Sequence, residues 1–405
     1  MANNSPQNAP DNPPFWRKIR VLVVPFWRDI RVLRVLFQIL FVIGIIVLAG
    51  ILYMNMIRGL DKLGQTLNVD FLGSEAGFEI AEGIAYEPTD TYLKAFLVGV
   101  VNTVKVSIIG IVCATILGLI VGIARLSSNW LVRNIAATYI ECFRNVPLLL
   151  QILFWYKAVL IPLPVVRDSL TFYEWVFINR RGIYLPSLQP TSSLKIWLGF
   201  LAFGFICAVI LYFVRLRRLQ RLERPGFAAK WALPTFLLIA VIGWVLTPGS
   251  PFTMELPVLG RFNFTGGMNL SPEFVALLIG LSIYTGAFIA EVVRSGIQSV
   301  AKGQREAARA VGLNEFQMLR LVVLPQAFRV IVPPLTSQYL NLTKNSSLAI
   351  AVGFPDLFNI GNTIMNQTGQ SIPVFAMIMV SYLCMSLTTS AYMNWYNRRI
   401  NRIGR

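Results

Sequence analysis

Two pairs of ionisable residues stand three positions apart inside apolar segments: Glu141 with Arg144, and Glu291 with Arg294. Residues three apart share one face of a helix, so each carboxylate could meet its arginine. A charged group at mid-membrane costs about 3 kcal/mol on insertion scales, so it needs a partner or water. The pairs predict either the lining of a polar pathway or structural ion pairs near helix ends, and the second interpretation is favoured for Glu291 with Arg294.

A third polar group, Lys344 to Ser347, interrupts another apolar run. A lysine with an amide and two hydroxyls suits the carboxylate and ammonium groups of a zwitterion. Ser and Asn side chains can equally hold helices together, and both interpretations stay open. The candidate substrate pathway combines residues of these groups with one further amide and a tyrosine: Glu141, Arg144, Asn145, Tyr284, Glu291, Lys344, Asn345, Ser346 and Ser347.

The chain carries no recognisable catalytic motif. It contains no GxxxxGK[ST] phosphate-binding loop, no GxSxG elbow, no HExxH and no histidine at all. Its four cysteines lie in apolar stretches at spacings unlike those of metal sites. We therefore expect no catalytic residue, metal or bound cofactor in this chain. If transport is active, its energy must come from another polypeptide.

A polar stretch from Ser299 to Arg329 separates two apolar segments and is rich in helix-forming residues. Gly312 can take the left-handed conformation that ends one short helix. Asn314 can cap a second helix, with Gln317 in the reciprocal position three residues later. Pro325 predicts a break or kink just before it. The pattern indicates two short, rigid helices at an angle, held at the membrane surface.

This stretch resembles the EAA---G---------I-LP signature found in the membrane subunits of ABC importers. The match consists of Glu306, Ala307 and Ala308, then Gly312, then Val322 where Ile is usual, then Leu324 and Pro325. In that family the loop docks on a cytoplasmic ATPase, which binds ATP and Mg. The candidate ATPase-coupling residues are accordingly Gln304, Glu306, Ala307, Ala308, Gly312, Leu324 and Pro325.

The composition is that of a membrane protein. Hydrophobic residues make up 55% of the 405 and charged residues only 14%, against about a quarter charged in soluble chains. The net charge of +17 could suggest nucleic-acid binding. The basic residues, however, stand in short clusters beside apolar spans, as in cytoplasmic loops. We therefore predict an all-α polytopic membrane protein with no nucleic-acid partner.

Apolar runs and their flanking charges predict about eight transmembrane helices with both termini cytoplasmic. Gly118 and Gly122 offer a small-residue face for close helix packing in the second span, and Ser271 is a plausible cap for the sixth. Residues 161–193 and the segment through Asn366 are predicted as periplasmic loops. The predicted spans are 33–57, 93–124, 136–160, 194–214, 231–246, 272–297, 332–352 and 374–395.

Four segments are similar to the polar amino-acid subfamily of ABC permeases: NTVKVSIIG, YIECFRNVPLLLQ, YTGAFIAEVVRSGIQSVAKGQREAARAVGL and KNSSLA. The resemblance implies a type I importer core of five helices, namely the second, third, sixth, seventh and eighth spans. The three added helices resemble the larger permease subunit of general L-amino-acid uptake systems. The resulting domains are a cytoplasmic tail with an interfacial helix (1–32), an added helix (33–57), a periplasmic loop (58–91), the first part of the core (92–160), an insertion (161–265), the rest of the core (266–397) with its coupling loop (299–329), and a basic tail (398–405).

The resemblance implies an ATP-driven importer of broad-range or polar L-amino acids in the bacterial inner membrane. Its expected partners are ATPase subunits, a second permease in a heterodimer, a periplasmic amino-acid-binding protein and membrane lipid. Two alternative classes of membrane protein are an ATPase-independent secondary transporter or channel for small polar solutes, and a non-transporting scaffold. The sequence shows no internal repeat of the kind many secondary transporters carry, and polar groups inside the spans disfavour a scaffold.

Overall fold

A computed structural model of the chain describes residues 30–62, 68–221 and 229–402. The chain divides into two compact units, Met1–Asn68 and Val69–Arg405. Helix α1, Ile30–Lys62, belongs to the first unit, and its apolar part Val32–Gly59 is long enough to cross a bilayer. The predicted first span at 33–57 is therefore helical. The predicted interfacial helix lies outside the described residues, as do residues 403–405 of the basic tail.

The described part of the second unit is mainly helical. Short 3₁₀ or π-helical turns extend several helices, at Trp155–Leu160, Leu319–Val323 and Ser346–Ala351. The α-helices are α2 Tyr92–Ala124, α3 Trp130–Asn145, α4 Leu148–Phe154, α5 Leu194–Arg221, α6 Ala229–Leu246, α7 Pro272–Gln298, α8 Lys302–Ala310, α9 Glu315–Met318, α10 Leu324–Asn345, α11 Leu357–Thr368 and α12 Ser371–Arg402.

Six helices in the described ranges are long and apolar enough to cross a membrane: Val32–Gly59, Tyr92–Ala124, Leu194–Leu219, Pro272–Gln298, Glu315–Ala351 and Ser371–Asn401. Two shorter apolar helices, Leu148–Leu160 and Lys230–Leu246, lie where the third and fifth spans were predicted. A polytopic helical membrane protein is thereby confirmed. The count of eight spans and the side on which each terminus lies stay predictions.

Helices α2 and α7 pack closely along the small-residue face of α2. A Cβ atom on Gly118 would lie 2.5 Å from the Ile289 side chain, and one on Gly122 would lie 2.7 Å from the Ala290 carbonyl oxygen. No larger residue fits there without moving the helices apart. The predicted packing role of the two glycines is confirmed. Around this contact, buried side chains of α2, α4, α7 and α10 form the main apolar core, among them Val106, Ile152, Leu277 and Leu342.

The predicted third span, 136–160, is two helices rather than one. Helix α3 ends at Asn145, and α4 starts at Leu148 immediately after Pro147. The Gln151 amide donates to the backbone carbonyls of Phe143 and Val146, both at 2.9 Å. One buried side chain thus satisfies carbonyl groups that the proline break leaves without helical partners.

The segment through Asn366, predicted as a periplasmic loop, is largely helix α11. Asp356 is its N-cap, and the carboxylate accepts from the Asn359 amide at 2.8 Å. The helix buries Leu357, Ile360 and Ile364 against α2 and α12 in a second apolar cluster. The prediction was wrong because this helix has only 12 residues, too few to stand out as a membrane span, and packs through one face.

The insertion contains short antiparallel strands, which the all-helical prediction and the predicted loop at 161–193 left out. One sheet has the strand order β1-β2-β3-β8, and separate pairs join β4 to β5 and β6 to β7. Tyr184 is buried against Phe264, which also stacks on Phe177. Strands of two to four residues give too little alternation to be predicted. Their bounds are β1 Leu170–Phe172, β2 Val176–Asn179, β3 Gly182–Leu185, β4 Ser187–Pro190, β5 Phe252–Glu255, β6 Val258–Leu259, β7 Phe264–Thr265 and β8 Met268–Leu270.

Candidate functional site

The loop between α7 and α10 has the predicted two-helix form. Gly312 lies between α8 and α9 with φ +81°, in the left-handed region. The Asn314 side chain accepts from the Gln317 amide at 2.9 Å, and the Gln317 side chain accepts from the Asn314 amide at 3.1 Å. This reciprocal cap fixes the start of α9. Both local predictions, the left-handed glycine and the capping pair, are confirmed.

This coupling loop (residues 299–329) is anchored to the transmembrane core. Ala308 of α8 and Met318 of α9 are buried in the main apolar cluster. The Arg305 guanidinium donates to the Ile297 carbonyl at 2.7 Å, and the Gln326 amide donates to Gln304 at 3.2 Å. Displacement of the loop must therefore move the ends of α7 and α10 with it.

The opposite face of the loop is exposed. Glu306 and Ala307 are open to the surroundings, and the nearby side chains of Val311 and Phe316 are 75% and 69% exposed. Leu321 adds a third exposed apolar side chain. Exposed apolar side chains beside charged ones are suited to contact with another polypeptide. The loop thus has an inner buried face and an outer face with exposed apolar side chains.

The break or kink predicted just before Pro325 takes the form of a π-helical turn, and the helix does not break. The chain stays helical from Glu315 through that turn, Leu319–Val323, into α10. Pro325 lies in the first turn of α10 and has no N–H to donate to a carbonyl of the preceding turn. The π-helical turn places one extra residue in the turn before the proline and absorbs the conflict.

Two predicted pathway residues, Arg144 and Tyr284, meet at Phe288 on α7. The Arg144 guanidinium lies over the Phe288 ring at 4.9 Å, and the Tyr284 ring is 5.0 Å from it. Glu291, one turn further along α7, forms an ion pair with Arg294. The predicted ion pair near the end of a helix is thus present, and the choice between a structural and a pathway role stays a prediction.

The predicted pairing of Glu141 with Arg144 is wrong. Both side chains are exposed, and none of the ion pairs within the described ranges joins them. Arg144 instead packs on Phe288 of α7, because α3 presents it to that helix. Asn145, the last residue of α3, is exposed as well.

The Lys344–Ser347 group lies far from the Phe288 group. Lys344 is 20 residues beyond the start of α10 at Leu324, which is about 30 Å along a helix. Glu291, by contrast, lies near the end of α7 that leads into the coupling loop. Helix α10 ends at Asn345 and the chain tightens into a 3₁₀ turn. The candidate pathway residues thus fall into two groups separated along the helices, and their sharing of one pathway stays a prediction.

Within the second group the hydroxyls bond locally. Ser346 Oγ donates to the Thr343 carbonyl at 2.8 Å, and Ser347 Oγ donates to the Lys344 carbonyl at 2.9 Å. Lys344 and Ser347 border a cavity of about 660 Å³ that includes Tyr382. The lysine ammonium is exposed and takes part in none of the ion pairs of the described residues. It is the group here best placed to meet a carboxylate.

Sequence reasoning missed several buried polar residues on α2 and α7. Asn102 and Ser107 on α2 and Ser282 on α7 are buried, and each has a side-chain oxygen without a protein hydrogen-bond partner in the described structure. Further along, Thr115 bonds to Tyr339 of α10 at 2.9 Å. The available signal was the polar spacing inside NTVKVS, which placed Asn, Thr, Lys and Ser in one apolar span.

A network on the strand side ties the extramembrane segment to the core. Glu82 accepts from Lys105 at 3.0 Å and from Ser271 at 2.6 Å. The Asn102 amide donates to the carbonyls of Glu82 and Pro355, both at 2.9 Å. These bonds join α2, the start of α7 and the segment before α11.

Clusters of His, Cys, Asp or Glu suited to a metal ion are absent from the described residues. Asp356 is fully buried, and burial raises the pKa of its carboxyl to about 6. It caps α11 through one oxygen, while Tyr382 donates to the other at 3.4 Å. Its contacts are those of a structural group, which holds α11 between α2 and α12.

Comparison with known proteins agrees with this arrangement. The family model described as "Binding-protein-dependent transport system inner membrane component" matches residues 200–402. The chain is 46% identical to the "Putative amino-acid ABC transporter permease protein YhdX" of Escherichia coli, over 90% of this chain and 93% of that one. It is 41% identical to the "General L-amino acid transport system permease protein AapQ" of Rhizobium johnstonii, over 90% and 92%.

A third relative is the "Glutamate/glutamine/aspartate/asparagine transport system permease protein BztB" of Rhodobacter capsulatus, 39% identical over 97% of this chain and 98% of that one. Relatives that match the long chain almost end to end include the insertion as well as the core. The chain therefore belongs to the amino-acid ABC transporter permeases: it is a multi-pass inner-membrane subunit of an importer that works with ATPase and substrate-binding partners.

Proposed function

We propose that the coupling loop transmits the ATPase stroke to the transmembrane core, with Glu306 and the exposed apolar side chains as the docking surface. The observation that carries this proposal is the two-faced loop: Ala308 and Met318 are buried in the core, while Val311 and Phe316 are exposed. Gln304, Ala307 and Gly312 hold the shape of the surface, and Leu324 and Pro325 start the helix that receives the motion.

In this proposal the chain is not itself an enzyme. ATP and Mg bind on the partner ATPase, and this subunit binds no cofactor. Support comes from the sequence, which has no phosphate-binding loop and no histidine.

We further propose that the cargo is a broad range of L-amino acids and that the second permease is a different chain. The relative from Rhizobium johnstonii is named for general L-amino-acid transport. Lys344 would meet the substrate carboxylate on one side of the membrane. Arg144 and Glu291, with Tyr284, would line the exit on the other. The buried polar atoms of Asn102 and Ser282 would be uncovered when the helices move between these states.

Replacing Glu306 tests the coupling role. The importer, reconstituted in proteoliposomes with its ATPase and binding protein, should lose uptake about tenfold in Glu306→Gln, since a lost charge-assisted hydrogen bond costs about 1.5–3 kcal/mol. The matched control is Glu79→Gln, an equally exposed carboxylate in the extramembrane segment.

Three measurements accompany uptake: permease content of the membrane, retention of the ATPase, and ATP hydrolysis stimulated by the binding protein. Normal uptake by Glu306→Gln would overturn the assigned role. Uptake driven by an ion gradient without ATP would instead support an ATPase-independent secondary transporter.

A further inference from the structure

The α5–α6 hairpin is packed tightly in the half next to the strands. A Cβ on Gly243 would lie 2.4 Å from Phe200, and one on Gly204 would lie 3.1 Å from Ile239. The Trp197 indole donates to the Ala240 carbonyl at 3.0 Å. In this half the helices leave no space between them.

The other half of the hairpin opens into an apolar groove. The cavity has a volume of about 570 Å³ and is lined from α5 by Phe205, Ala208 and Tyr212, and from α6 by Ala232, Leu233 and Phe236. Pro234 lies inside α6. It has no N–H to donate to the carbonyl four residues earlier, and it disturbs the helix at this level. The groove therefore opens where the backbone of α6 is least regular.

Cationic side chains stand at the far end of this groove. Arg215 follows Tyr212 by three residues on α5, and Lys230 precedes Leu233 by three residues on α6. Each is thus one turn beyond a residue that lines the groove. The Arg215 guanidinium lies 4.9 Å from the Trp231 ring, and a tryptophan at such a position is typical of the membrane–water interface.

These cations have no acidic partners in the described structure. The described residues of the hairpin include no Asp or Glu, and the ion pairs of the described ranges involve neither Arg215 nor Lys230. Arg217 and Arg218 add two exposed charges at the same end of α5. Within the described residues, an apolar groove thus ends in a cluster of positive charges without acidic partners.

The cluster lies on the side of the coupling loop. Helices α5 and α7 both begin beside the strands, because α5 follows β4 and α7 follows β8, the partner of β3. Both helices therefore lead away from the strands, α7 into the coupling loop and α5 into the positive cluster. The leaflet on the ATPase side of a membrane carries anionic lipids, which attract such clusters.

We propose that the groove is a binding site for one anionic phospholipid, with an acyl chain between Tyr212 and Leu233 and the phosphate held by Arg215 and Lys230. The occupant is a lipid rather than another apolar helix, because such a helix would fill the groove but would leave Arg215 and Lys230 without an anionic partner. Trp231 would contact the glycerol region. This site goes beyond the transport function, and its placement in the ATPase-side leaflet rests on the proposed docking of the coupling loop.

The test uses the assembled importer in nanodiscs containing equal amounts of phosphatidylglycerol and phosphatidylcholine. After extraction, native mass spectrometry counts the lipids that stay bound. The double variant Arg215→Gln/Lys230→Gln should retain phosphatidylglycerol about 25-fold less, since each of the two charges near an anionic lipid contributes about a fivefold step. Lys195→Gln/Arg261→Gln removes two exposed charges elsewhere in the insertion and should retain it like the wild type.

A second variant, Ala232→Phe, fills the groove and leaves both charges in place. It should also lose the bound lipid, which separates a site with an acyl chain from simple attraction to a charged surface. Equal retention of the two lipids by the wild type, or unchanged retention in the double variant, would overturn the proposal. So would release of a partner subunit by Ala232→Phe with lipid retention unchanged, because the groove would then hold a protein helix. Melting temperatures close to that of the wild type in pure phosphatidylcholine check that each variant is folded.

Discussion

Helices α7 and α5 have nearly the same length, but α7 is largely buried by the rest of the protein whereas α5 is exposed along most of its length. The apolar window of α7 is 61% buried with a mean hydropathy of 1.9, whereas that of α5 is 6% buried with a mean hydropathy of 2.4. The more apolar helix is the less buried one. Hydropathy records contact with lipid, while burial inside the protein comes with small and polar residues such as Gly286 and Ser282. Small residues therefore indicate which helices of this protein are buried in its core better than hydrophobicity does.

The largest difference between the two helices is expected at matched glycines. Gly118→Leu forces a side chain into Ile289 of α7, whereas Gly199→Leu on α5 meets nothing within 4 Å. Overpacking of a core costs about 1–3 kcal/mol and sometimes more, and backbone lies close behind Ile289. We expect Gly118→Leu to lower the unfolding free energy by about 3 kcal/mol and Gly199→Leu to change it little. Thermal melting in nanodiscs measures both, and equal melting would break the comparison.

Matched isoleucines give the next effect. Ile289 of α7 is fully buried, whereas Ile206 of α5 is 56% exposed. Ile289→Ala leaves a cavity between packed helices and should destabilise by about 2–3 kcal/mol. Ile206→Ala exchanges one lipid contact for another and should cost well under 1 kcal/mol. Chemical unfolding in mixed micelles compares the two, and a larger loss at Ile206 would show that the hairpin is part of the core.

A buried and an exposed carboxyl group, those of Asp356 and Asp90, should make stability depend on pH in opposite directions. An unfolded Asp titrates near pH 4, but the buried Asp356 has a pKa of about 6. Between these values the folded chain holds the extra proton, so the contribution of Asp356 to stability falls as pH rises. Asp356→Asn keeps an N-cap acceptor and never ionises. Its free energy of unfolding should exceed that of the wild type by on the order of 2 kcal/mol above pH 6 and should equal it near pH 4.

Asp90 is the control of opposite sign. Its hydrogen bond from Lys94 lowers the pKa of that exposed carboxyl, so its stabilising effect is present at neutral pH and is lost as pH falls. Asp90→Asn should therefore melt lower than the wild type at pH 7.5 and like the wild type near pH 3. Melting curves of the Asp356 variant at pH 4 and 7.5, and of the Asp90 variant at pH 3 and 7.5, test the two predictions. A parallel pH dependence in the two would contradict the burial argument.

The smallest effect on stability belongs to the coupling loop. Gly312→Ala places a Cβ at φ +81°, while Gly303 lies inside α8 with nothing near it. Gly312→Ala should lower the free energy of unfolding by about 1 kcal/mol, and Gly303→Ala should raise it by about as much. Uptake should fall severalfold only in Gly312→Ala, with the permease still in the membrane. Similar uptake by both variants would show that the shape of the loop is not what couples.

Local chemistry could be predicted from the sequence wherever neighbours in the chain decide it. The Asn314–Gln317 cap depends on residues three apart, as does the Ser271 cap of α7, where the Phe274 amide donates to the serine hydroxyl at 3.1 Å. Gly118 and Gly122 could be predicted as a packing face because four-residue spacing places them on one side of a helix.

The remaining features depend on contacts between distant parts of the chain. Arg144 was expected to pair with Glu141 nearby, but its guanidinium packs on the ring of Phe288 from another helix. Helix α11 was missed because its burial comes from α2 and α12, which no window of sequence contains. The separation of Lys344 from Glu291 follows from the direction in which α7 and α10 run, and spacing along the chain does not encode it.

The pairing of β3 with β8 has a consequence for how this chain can be altered. Leu185 and Met268 are direct partners across that pair, so their Cα atoms stand only about 5 Å apart, although 82 residues, 186 to 267, intervene between them. A two-residue turn would bridge such a gap. The segment that contains the membrane hairpin therefore leaves and rejoins the core at neighbouring positions, so a chain shortened there would keep β3 beside β8 but would lose Phe264, which packs on Tyr184.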